Sequence, residues 1–161
     1  MIKLKGTLLL GTLAVLAAGG IAAHDNDDRY PRPILRLEGV WLAQVSVTDC
    51  TNPSTTLLGP FPSLLTFHAD GTVTETAPAP PNSQRSASHG LWRRVSRNTF
   101  DEAMTFQRLD VTGIFLGTQV IRATLQLGDD SYTAQGKFEI KESHGATIAS
   151  GCSSVVAKRF E

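Results

Sequence analysis

The sequence predicts an all-β protein, an eight-stranded antiparallel up-and-down barrel with one disulfide. Three observations carry that expectation. Apolar residues recur at every second position in one run after another, the signature of half-buried strands. Tight-turn dipeptides separate the runs at short intervals, as hairpins require. The chain of 161 residues holds only two cysteines, Cys50 and Cys152, one early and one late in the patterned region.

The amino-terminal stretch sets the compartment in which those cysteines act. "MIKLKGTLLLGTLAVLAAGGIAAHDNDD" carries Lys3 and Lys5, an apolar run from Leu8 to Ala18, small residues and then acid. This is the layout of a secretory signal peptide. Residues 1–23 are therefore expected to be a leader, and the mature protein to be secreted or periplasmic. The apolar run is short and glycine-interrupted, so no membrane span is expected in the mature chain. An even cysteine count in an oxidising compartment predicts a Cys50–Cys152 disulfide. Neither cysteine has a ligand-type neighbour at metal-binding spacing.

Lys3 and Lys5 leave with the leader, so two more acidic than basic residues remain. That balance gives no electrostatic case for nucleic acid or for an anionic membrane surface. Residues 24–34 include "DNDDRYPRP", a polar, proline-containing lead-in expected to be disordered. Residues 35–161 are long enough for a single domain with its own core.

The clearest strand comes first. Leu35, Leu37, Gly39, Trp41, Ala43, Val45 and Val47 share one face, while Gln44, Ser46 and Thr48 take the other. "NPSTTLLGPFP" then reads as a loop, because Pro53, Pro60 and Pro62 break ladders. "SLLTFHADGTVTETAP" is a hairpin about Asp70-Gly71, a pair that tolerates the positive φ angles of a tight turn. Ala77 to Ser88, "APAPPNSQRSAS", reads as a mobile loop with no place in a ladder. "HGLWRRVS" and "NTFDEAMTFQRLD" are the next two strands, turning near Arg97-Asn98. The sixth strand contains Ile121, Ala123, Leu125 and Leu127 in alternation and turns at Gly128-Asp129-Asp130. "SYTAQGKFEIKE" places Tyr132, Phe138 and Ile140 in phase, and His144-Gly145 leads into "ATIASGCSSVVAKRF". A sheet of eight such strands removes its exposed edges by closing into a barrel.

Gly39-Val40-Trp41 on the first strand resembles the Gly-x-Trp signature of the lipocalins and the wider calycin superfamily. The resemblance extends to small secreted bacterial barrels of this type. It implies that Trp41 closes the bottom of the barrel and that Arg159, near the end of the last strand, packs across it. A guanidinium stacked on indole contributes roughly 0.5–2 kcal/mol. The resemblance implies a small apolar ligand in the lumen, and an enzyme similar to the allene oxide cyclases as the alternative. A filled barrel with a structural role is the third reading.

The residues point to no catalytic group. His68 and His89 lack a partner at fixed spacing, and no H-E-x-x-H, G-x-S-x-G, phosphate-loop or paired-cysteine metal motif occurs. No cofactor and no metal are expected. His24 with Asp25, Asp27 and Asp28 would suit copper or nickel only if the leader were cut after Ile21. The lumen is expected to be lined by Trp92, Met104, Phe106, Ile121 and Phe138. Glu102 and Arg108 share the face of Met104, and Arg94 shares that of Trp92, so these charges would pair or meet a ligand. Connections alternate between the two ends of an up-and-down barrel. Cys50–Pro62 and Ala77–Ser88 are therefore both expected at the mouth, where binding residues collect.

Overall fold

The computed structural model describes residues 35–160. The expected leader and lead-in, and His24 with them, lie outside those residues. Nine strands form: β1 Gly39–Thr48, β2 Thr56–Phe67, β3 Thr72–Thr76, β4 Gln84–Arg85, β5 Ser88–Arg94, β6 Thr99–Leu109, β7 Phe115–Leu127, β8 Ser131–Glu142 and β9 Thr147–Arg159. All pairings are antiparallel. β1, β2, β3, β5, β6, β7, β8 and β9 follow one another around a closed ring, with β9 pairing back to β1. The expected eight-stranded up-and-down barrel is therefore present, and its architecture is compatible with a lipocalin-like fold. Among the described residues no helix is long and apolar enough to cross a membrane.

Period-two patterning places the core as the sequence implies. Trp41, Ala43, Leu65, Phe67, Val73, Phe100, Leu125, Tyr132 and Ala157 are buried inside the ring. Three connections use the same device: Asp49, Asp70 and Asp110 each accept hydrogen bonds from the backbone amide and hydroxyl of the threonine two residues on. This local acceptor substitutes for a backbone partner in the turn. The same bonds hold all three carboxyl groups below their ordinary range. Cys50 and Cys152 are disulfide-bonded, joining the β1–β2 connection to β9.

Three expectations about local structure are corrected. The chain from Leu35 to Glu38 is not strand. It crosses the closed end as a floor, with Leu37 fully buried and its carbonyl accepting a 2.8 Å bond from Trp41 Nε1. Thr56–Pro62 is not loop but the first half of β2, paired with β1 from Thr48 to Gln44. Prolines are tolerated there because β3 reaches only Thr76, opposite Leu64, so that half of β2 has a single neighbour. Gln84 and Arg85, finally, do join a ladder. β6 runs on past the start of β5, and this overhang pairs Arg85 with Arg108 and Gln84 with Leu109.

Candidate functional site: a half-filled barrel

The barrel interior divides into two levels. At the closed end, the Trp41 ring meets Tyr132 edge-on at 5.0 Å, and Phe67 meets both Tyr132 and Trp92 edge-on. Arg159 lies over Trp41 with its guanidinium carbon 4.2 Å from the ring centroid. It donates to the carbonyls of Glu38 and Arg36 at 2.9 and 2.5 Å, which fastens one end of the floor. Arg94 fastens the other end. It lies 4.4 Å over the Phe100 ring and donates to the Leu35 carbonyl at 2.6 Å. Gly39 permits this arrangement, since its φ is +126° and a Cβ there would stand 2.9 Å from Arg159 Nη1.

Towards the mouth the interior opens into a cavity of about 680 Å³. Val45, Phe61, Met104, Phe106, Ile121 and Phe138 form its apolar wall. Gly151 lets the wall sit close, because a Cβ at that position would stand 2.5 Å from the Phe138 ring. Pro78 to Pro81, Ser83, Gln84 and Arg85 border the cavity as a strap. Gln84 ties that strap to the β6–β7 hairpin by a 3.0 Å bond to the Val111 carbonyl. A more open hollow runs along the outer wall, lined by charged side chains such as Arg93, Arg122 and Lys137. Its exposure and charge make it ordinary surface.

A polar cluster stands inside the apolar lumen. Arg85 reaches in from the strap and donates to Glu75 Oε2 at 2.5 Å, with both side chains nearly buried. Ser63 donates to Glu75 Oε1 at 2.7 Å, and Ser88 donates to Oε2. The Arg85 guanidinium also lies 3.6 Å over the Phe106 ring. A buried ion pair is tolerable when its remaining hydrogen-bonding capacity is met, and here Arg85, Ser63 and Ser88 all converge on the Glu75 carboxylate. Glu102 stands apart from this network. Its Oε2 is buried without a partner, as is the Tyr132 hydroxyl. Burial first, and the neighbouring Glu75 charge second, push the Glu102 carboxyl up to about 8. Tyr132 is also raised, again by burial first and then by the fields of Glu102 and Glu75.

Of the residues singled out from the sequence, Glu102, Met104, Phe106, Arg108, Ile121 and Phe138 line this cavity together. Trp92 and Arg94 do not. Trp92 sits at the closed end, where its Nε1 donates to the His68 carbonyl at 3.0 Å, and Arg94 is exposed at that end, bonded to the Leu35 carbonyl. His68 and His89 are exposed. Glu75, Arg85, Ser63 and Ser88 were not anticipated. Alternation with Val73 would have turned Glu75 inward, whereas nothing in the proline-rich strap signalled Arg85. Comparison with known proteins adds no relative: no protein-family model and no curated protein matches the chain.

Proposed function

We propose that the protein is an exported, lipocalin-like barrel that binds a small apolar molecule in its lumen. The cavity carries this reading. Ligand sites typically enclose roughly 300–1,000 Å³ of mainly apolar wall with a few placed polar groups, and about 680 Å³ here falls within that span. Closure of the ring and filling of the floor leave the strap end as the path of access. The leader-like amino terminus and the disulfide support export. Gly39-Val40-Trp41 and the stacked Arg159 support calycin kinship. A second reading, a barrel-type cyclase or isomerase, draws on Glu102: an acid kept protonated near neutral pH inside an apolar cavity is suited to general acid chemistry.

Native mass spectrometry of protein purified from the periplasm, with titration of apolar fluorescent probes, tests the binding reading. One probe per chain should bind saturably. Deleting residues 79–82 of the strap should change probe affinity several-fold while the melting temperature stays nearly constant. An absence of saturable binding by any probe would favour a filled, structural barrel.

A further inference from the structure

The unpartnered polar groups of the lumen indicate what the ligand presents to it. Several buried polar side chains inside the barrel are matched: Trp41 Nε1 has the Leu37 carbonyl, while Ser63, Ser88 and Arg85 surround Glu75. Glu38, Thr48, Glu102 and Tyr132 each carry a buried polar atom without a partner, and of these Glu102 and Tyr132, 7% and 2% exposed, border the cavity. An unsatisfied buried polar group costs about 1–3 kcal/mol, so a ligand that satisfies it recovers binding energy. An unpartnered carboxyl in apolar surroundings, beside a Glu75 already committed to Arg85, keeps its proton. Tyr132 keeps its proton for the same reasons. Glu102 and Tyr132 therefore present the cavity with two unpartnered hydrogen-bond donors.

Accordingly, we infer that the ligand is an apolar molecule with an uncharged acceptor oxygen of the carbonyl type, which accepts hydrogen bonds from the Glu102 carboxyl and the Tyr132 hydroxyl. A ligand carboxylate placed against Glu102 would face the Glu75 charge, with Arg85 already paired and Arg108 six residues further along β6. An ammonium would leave its hydration shell for a wall of Met104, Phe106 and Ile121, where only loss of the Glu102 proton would create a counter-ion. An uncharged oxygen incurs neither cost. This inference rests on the lumen being a binding cavity.

The experiment compares four probes of one chain length: an alkane, its methyl ketone, its carboxylate and its primary amine. Displacement of a lumen-bound fluorophore measures each affinity. The ketone should bind about tenfold more tightly than the alkane, the equivalent of a net buried hydrogen bond. Tyr132→Phe, which keeps the ring contacts with Trp41 and Phe67, should remove most of the ketone's advantage over the alkane. Glu102→Leu should act likewise, whereas Glu102→Gln keeps an N–H donor and should retain most of it. The carbonyl stretch of the bound ketone should lie at lower frequency in the wild type than in Tyr132→Phe. Equal affinity for ketone and alkane would overturn the inference while leaving lumen binding intact. Preference for the amine, lost in Glu102→Gln, would make this a cation site instead. Preference for the carboxylate would overturn the inference and assign recognition to the cavity arginines, Arg85 and Arg108. Failure of all four probes to displace a bound fluorophore would overturn the inference alone, and absence of any fluorophore binding would remove the binding reading as well.

Discussion

The two ends of this barrel are built from similar residue types but solve opposite problems. At the closed end, large aromatic rings meet edge to face, and the Trp41 indole and Arg159 guanidinium find backbone partners: indole to Leu37, guanidinium to Glu38 and Arg36. Towards the mouth, rings line a cavity instead of filling it, and Glu102 and Tyr132 turn polar atoms into the space without partners. The first arrangement maximises burial and stability. The second retains void and unmet hydrogen bonding, both of which cost stability and are tolerated where something else is to be accommodated. Stability and binding thus occupy different levels of one barrel, and perturbing each level should give different signatures.

The sharpest break should come at the floor. Trp41 is fully buried, touches Tyr132 edge-on and lies under Arg159. Trp41→Ala should cost about 3–5 kcal/mol of unfolding free energy, the range for a large buried aromatic. Urea denaturation measures it. A loss below about 1 kcal/mol would mean that the floor carries no more of the stability than the wall does.

The mouth half should respond to pH rather than to truncation. The folded-state value of Glu102, about 8, lies above the ordinary carboxylate value of 4.5. Between those values the native state holds a proton that the unfolded chain has released, so stability falls as pH rises. The contribution is complete below about pH 4.5 and lost progressively up to about pH 8. By pH 7 the loss is on the order of 3 kcal/mol at 1.36 kcal/mol per pH unit. Asp49, Asp70, Asp101 and Asp110 are held low, chiefly by side-chain hydrogen bonds, so their contributions are already in place by pH 5. Urea midpoints at pH 5 and pH 8 should therefore drop in the wild type and change far less in Glu102→Gln. Parallel drops in both proteins would show that Glu102 ionises freely in the fold.

The division between the two levels was only half visible in the chain. Period-two alternation gave the face of nearly every strand: Trp41, Met104, Phe106, Ile121 and Phe138 all point inward as expected. Alternation reports face and says nothing of depth along the barrel axis. Trp92 illustrates the gap, because β5 runs from mouth to floor and places it beside Phe67 and Phe100. Proline misled for a related reason. Pro60 and Pro62 read as breakers, yet they occupy a stretch of β2 with one neighbour, and that vacancy depends on how short β3 is. Arg85 was hidden because its strand exists only where β6 overhangs β5. These features are properties of strand length and stagger, which a single chain does not display.

The smallest effect should come from the contact that joins floor to wall. Arg159 stacks on Trp41, donates to two floor carbonyls and lies 3.8 Å from the largely exposed Asp130. Arg159→Ala should cost about 1–2 kcal/mol, from the stacking and from carbonyls left without donors. Arg159→Lys should recover little of this, because an ammonium keeps the charge but not the planar fork that reaches Glu38 and Arg36 together. Gly39 provides the sharper measurement. Gly39→Ala suffers twice in the wild type, from its positive φ and from the approach of Arg159 Nη1 to the new Cβ. With Arg159 already removed, only the backbone strain remains. The double variant should therefore lose less stability than the two single losses added together, by about 0.5–1 kcal/mol. Strict additivity would mean that Arg159 moves aside at no cost, and that the fork on the floor carbonyls does not hold it against Gly39.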